Sequence, residues 1–118
     1  ANIVAKLHVL SNIECSEQSV SQNVWVERNY DFHLALVSGC QSPALLEIRR
    51  NLYMKFDRYC QMSYQLSKLS LHDNNECHKQ LVDAVLQRNV KESNRLMIHH
   101  INGPLEDVIK QFKQHNLF

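Results

Sequence analysis

The stretch that decides the fold is HKQLVDAVLQRNVKESNRLMIHHI, residues 78–101. Within it, Leu81, Val82 and Val85 follow His78 by three, four and seven positions, the spacing that puts side chains on one face of an α-helix. Val85 and Leu86 close that segment near Asn89, and a second helical pattern starts at about Lys91. There Leu96 and Met97 precede His100 by four and three, and Ser93 precedes it by seven. His99 instead follows Arg95 by four and Glu92 by seven, so His100 is predicted to look inward and His99 outward.

Working outward toward the C-terminus, the pattern passes Ile101, breaks at Asn102-Gly103-Pro104 and resumes from Leu105 to His115. On the other side, His72-Asp73-Asn74-Asn75 offers capping residues for the helix that carries His78. Before it lies a long helix with Ser42 as N-cap and Pro43 at its first position. Its apolar face of Leu45, Leu46, Leu52, Phe56, Tyr59 and Met62 extends to about Leu69. From Trp25 to Val37, the residues Val26, Tyr30, Leu34 and Val37 recur at helical spacing, and Gly39 stops the run. Ser11 to Gln22 reads as a polar connection, with the next helix starting between Ser16 and Asn23. Ala1 to Leu10 reads as helix, with Ile3, Val4, Leu7 and Leu10 on one stripe, so the chain is expected to start inside structure.

Composition agrees with this reading. The 118 residues suffice for one domain with a real core, and only 2 Gly and 2 Pro interrupt a chain that is 44% hydrophobic and 21% charged. The fold class is therefore all-α, an antiparallel helical bundle of about five to seven helices. Thirteen basic and twelve acidic residues leave a net charge of +1 and no basic stripe that would track a phosphate backbone. Cys15, Cys40, Cys60 and Cys77 form no CxxC pair and each replaces a small hydrophobe, as reduced thiols of a cytoplasmic protein do. No apolar run approaches the roughly 20 residues that span a bilayer.

Seven histidines must be sorted by helix face. His33 shares its face with Val26, Asn29, Tyr30, Leu36 and Val37, which sets a third imidazole inward beside His78 and His100. Burying an imidazole without a partner costs a few kcal/mol, so each ring needs one. One solution is a separate carbonyl or side chain for each. The other is a single divalent cation held by His33, His78 and His100, with Asn29 or water adding oxygen. Spacing alone leaves both open.

Two segments carry a family resemblance. Asn29-Tyr30-Asp31-Phe32-His33 with Leu36 and Ser38-Gly39 resembles the D-x-x-F-H-x-x-L…SGN segment of FCD domains, the effector-binding halves of many GntR-type transcription regulators. His78-x-x-Leu81-x-x-Ala84-Val85, Asn89, Ser93, Met97 and His100-Ile101 is similar to that family's H-x-x-I-x-x-A-I…D…A…M-x-x-H-I pattern. The resemblance implies a zinc, nickel or similar ion held by His33, His78 and His100, with Asn29 where the family has Asp. It implies a small carboxylate effector beside the metal and a homodimer. DNA binding would belong to a winged helix-turn-helix domain outside this chain, and one further sensor helix is expected before Ala1.

Ser38 to Ser42 with Leu45-Leu46 and Arg49 resembles the carbon-starvation-induced regulators of the family, which sense glutarate, so a dicarboxylate is the expected ligand. Arg49 and Arg58 are the candidate carboxylate clamps, with Gln61 and Tyr64 in support. Three rival readings are a metal-free helical interaction module, a metal-dependent hydrolase and a phosphotransfer bundle. A hydrolase needs a base near the metal, and Glu76 and Asp83 do not share the face of His78. A phosphotransfer bundle needs an exposed His in a Lys/Gly context, which His99 lacks.

Overall fold

The computed structural model describes residues 2–16, 22–66 and 71–117 and, within these, no side chains at 22, 63–66 and 71–73. Among the described residues there are five helices and no strand: α1 (Asn2–Glu14), α2 (Gln22–Val37), α3 (Pro43–Leu66), α4 (Leu71–Leu86) and α5 (Val90–Gln114). The chain is all-α, as its periodicity requires. It divides into two compact units, residues 1–39 with 70–96 and residues 40–69 with 97–118.

In the first unit, α1 packs on both α2 and α4. Leu10, Phe32 and Val82 form the buried cluster, and Ile3, Leu7, Trp25 and Leu36 close around it. Burying each of these large apolar side chains contributes roughly 1.5–3 kcal/mol. Helix α1 runs on to Glu14, through part of the stretch expected to be a polar connection. The stripe Ile3, Leu7, Leu10 continues in phase to Glu14, which is buried although it is charged. On α2 the phase is also turned from expectation, since Leu34 is 40% exposed while Phe32 and Ala35 are buried.

The expected cap at residues 72–75 lies instead within α4, which begins at Leu71. Asn74 and Asn75 do not break the helix because their side chains bond to α1 and do not compete for the local backbone. At the other end, Arg88 takes a left-handed conformation (φ 54), and the Asn89 N–H donates to the Ala84 carbonyl at 3.0 Å, a Schellman closure. Asn89 then caps α5, its Oδ1 accepting from the Glu92 N–H at 3.1 Å.

The second unit pairs α3 with the later part of α5, where Tyr59 meets Phe112 edge-on at 6.1 Å. Ser42 is the N-cap of α3 as read from the sequence, its hydroxyl accepting from the Leu45 N–H at 3.3 Å. Gly39 follows the end of α2 without a left-handed backbone, and the Ser38 hydroxyl donates to the Ala35 carbonyl at 2.9 Å. Helix α5 runs through Pro104 without the expected break. Leu96, His100, Pro104, Val108 and Phe112 lie four apart on its less exposed side, so one packed face continues across the proline. The apolar face of α3 is only partly covered, with Leu45 61%, Ile48 55% and Leu52 62% exposed.

All four cysteines are free. Cys15 and Cys40 are exposed rather than packed as small hydrophobes, whereas Cys60 is half-buried. Burial, with Asp57 and Asp107 nearby, pushes the Cys60 thiol from 9.0 up to about 12. At pH 8 its thiolate fraction is then roughly 1,000-fold below that of an ordinary thiol. Iodoacetamide should therefore alkylate Cys60 at least ~100-fold more slowly than Cys15 and Cys40, as followed by peptide mass spectrometry. Equal rates at the three sites would contradict this.

Candidate metal centre

Helix α2 carries Asn29 and His33 one turn apart, and α4 carries His78. The exposures are 8% for His33 and 0% for His78, so both rings point into the first unit as helix phase requires. Their ring centroids are 5.2 Å apart, with the planes at 73°. Phe32 sits edge-on to both, 5.2 Å from His33 and 4.8 Å from His78. Its fully buried ring holds the imidazoles by packing and excludes water from one side.

His78 Nδ1 lies 2.9 Å from Glu14 Oε1, and both side chains are fully buried. Glu14 also accepts from Trp25 Nε1 at 3.1 Å, Asn74 Nδ2 at 3.3 Å and Asn75 Nδ2 at 3.2 Å. Asn75 Nδ2 further donates to Ser11 Oγ at 2.8 Å, and the Cys15 thiol donates to Asn75 Oδ1 at 3.2 Å. A carboxylate oxygen accepts and cannot donate, so the proton of this bond sits on His78 Nδ1, which leaves Nε2 as the lone-pair nitrogen of the neutral ring.

Two observations bear on whether a divalent cation fits. One nitrogen of His33 and one of His78 lie within 4.8 Å of each other. Two nitrogens, each ~2.0–2.1 Å from one ion, can span up to ~4 Å, a separation of the same order. Asn29 Oδ1 is buried and has no hydrogen-bond partner among the described residues, so it is an oxygen donor in need of one. Imidazole with a neutral amide oxygen is a donor set for zinc, nickel, cobalt or copper.

His100 is half-buried on α5, four residues after the buried Leu96 and within the second unit, while His99 is exposed as expected. Arg49 lies over the Tyr53 ring at 5.3 Å, Arg58 is exposed, and Gln61 Nε2 donates to Asp57 at 2.7 Å. Arg49 and Arg58 are nine positions apart, about 180° around α3, so they face opposite sides of the helix. The Tyr64 side chain lies outside the described residues. Glu76 and Asp83 are exposed, away from the His33–His78 pair.

Sequence reasoning missed Glu14, Asn74 and Asn75. The signal was present, since Glu14 follows Leu7 and Leu10 by seven and four, and Asn75 precedes His78 by three and Val82 by seven.

Residues 4–103 match the model of the FCD domain. The chain is 34% identical over 109 residues to the HTH-type transcriptional repressor GlaR of Escherichia coli (strain K12), an alignment covering 89% of this chain and 50% of that protein. It is 28% identical over 117 residues to the uncharacterized HTH-type transcriptional regulator BphR of Paraburkholderia xenovorans (strain LB400), covering 95% and 46%. The chain thus spans about half the length of the curated relatives it matches. No solved structure matches it.

Proposed function

The chain belongs to the FCD domain family, and on that premise we propose that it is the ligand-sensing domain of a GntR-type transcription regulator, binding a small carboxylate beside a divalent cation. His33, His78 and His100 hold the cation, zinc or nickel, and Asn29 adds an oxygen. The observation that carries this reading is the buried pair His33 and His78, one ring already oriented by a carboxylate. The cation offers a coordination position to a carboxylate. An arginine of α3, Arg49 or Arg58, grips a second carboxylate, assisted by Gln61 and Tyr64. Because the two arginines face opposite sides of α3, only one of them can serve a given ligand.

The full-length protein acts as a cytoplasmic homodimer whose separate reader domain touches DNA. No helix of the described residues is long and apolar enough to cross a membrane. The exposed stripe Leu45, Ile48, Leu52 on α3 supports self-association, since a contiguous apolar surface favours being covered. Sedimentation velocity should show a dimer for the native chain and a monomer for Leu52→Glu. A monomer at micromolar concentration for both would remove this face from consideration.

The metal is tested on chelator-stripped protein. Zinc or nickel at ~100 times its Kd should stabilise the fold by about 2.7 kcal/mol, a rise of roughly 10 °C in Tm, and His78→Ala should abolish the shift. Absence of both stoichiometric metal and any shift removes the metal from the reading. With metal present, C3 to C6 dicarboxylates, glutarate first, should raise Tm further. If no acid does, the effector part fails while the metal part stands.

A further inference from the structure

We infer that Glu14 is a positioning residue of this site, holding the His78 ring with Nε2 as its lone-pair nitrogen and supplying the negative charge that the donor set otherwise lacks. The inference rests on the reading of the histidines just given.

Glu14 stands at the end of α1 with a fully buried side chain. Its partners among the described residues are an indole, two carboxamides and an imidazole, none of them a fixed cation. A buried carboxylate stabilised only by neutral donors is costly unless positive charge lies near. A cation bound at His78 Nε2 would supply that charge one ring away. Imidazole and amide ligands bring no negative charge to a cation, and Glu14, bonded to His78, would supply it.

The surrounding bonds show how the carboxylate keeps its place. Trp25 from α2 and Asn74 from α4 hold Oε2, while Asn75 and His78 from α4 meet at Oε1. Asn75 is itself tied to Ser11 and Cys15 of the segment that carries Glu14. Rotation of the carboxylate would therefore break bonds to two helices at once. The His78 ring, wedged against Phe32, has its second degree of freedom removed as well.

Two measurements test this. In the metal-free native protein, long-range ¹⁵N–¹H NMR should show His78 protonated at Nδ1 and bare at Nε2. Any other protonation pattern overturns the inference without recourse to a variant. Zinc affinity, read by competition with a chromophoric chelator, should fall about 10- to 100-fold in Glu14→Gln. Asn29→Asp added to Glu14→Gln, which returns a carboxylate beside His33, should recover most of the loss. If native protein binds zinc and Glu14→Gln binds it equally well, Glu14 has no such role and the histidine site stands. If native protein binds no zinc, the site falls and this role falls with it. Should Glu14→Gln not fold, the NMR result on native protein decides.

Discussion

Phe32→Ala should destabilise the chain by about 3–5 kcal/mol, the range for deleting a fully buried aromatic ring. Phe32 is 0% exposed and belongs to the cluster with Leu10 and Val82, so the deletion opens a cavity at the junction of α1, α2 and α4. Two of its walls are His33 and His78, which would lose edge-on ring contacts worth roughly 0.5–1.5 kcal/mol each. Against a typical domain stability of about 5–15 kcal/mol, this is enough to leave a substantial unfolded fraction at 37 °C. Urea titration followed by circular dichroism measures it as a fall in the midpoint. Phe32→Leu, which keeps most of the volume, should cost about half as much, and a loss below about 1 kcal/mol for Phe32→Ala would show that the ring is not the keystone of this core.

Glu14→Ala should be nearly as severe, again about 3–5 kcal/mol, for a different reason. It removes the acceptor shared by Trp25, Asn74, Asn75 and His78, of which Asn75 keeps its bond to Ser11. Each unsatisfied buried donor costs about 1–3 kcal/mol, partly relieved as side chains turn or water enters. The informative contrast is Glu92→Ala. Glu92 makes a two-pronged bond to Arg95 that holds its carboxyl below the usual range, yet the pair is solvent-exposed and screened. That variant should leave the urea midpoint unchanged. If Glu14→Ala is as silent as Glu92→Ala, the buried network contributes nothing to folding.

How much of this was legible in advance differs between the helices and the site. Helical spacing is local, so the positions of α2 to α5 followed from residues within two or three turns of each other. Ser42-Pro43 marked the start of α3 because an N-cap bonds within its own first turn. Pro104 does not break α5, because a proline removes one bond locally whereas the contact of Phe112 with Tyr59 is contributed by another helix. Leu34 was misread because α2 has apolar residues on several sides, and periodicity alone did not say which side another helix would cover.

For the candidate centre, the sequence by itself determined that His33 and His78 face inward, since each shares a face with apolar residues at three, four and seven positions, and the structure buries both. Only the tertiary structure decided that a carboxylate joins them. Polar residues at positions 11–14 and 72–75 read as a linker and a cap because in isolation such residues favour water or the nearby backbone. Ser11, Glu14 and Cys15 meet Asn74, Asn75 and His78, 60 to 64 residues away along the chain. Whether a Glu on an apolar stripe is solvated or buried depends on donors that reach it only once α1, α2 and α4 have packed, and no local pattern encodes that meeting.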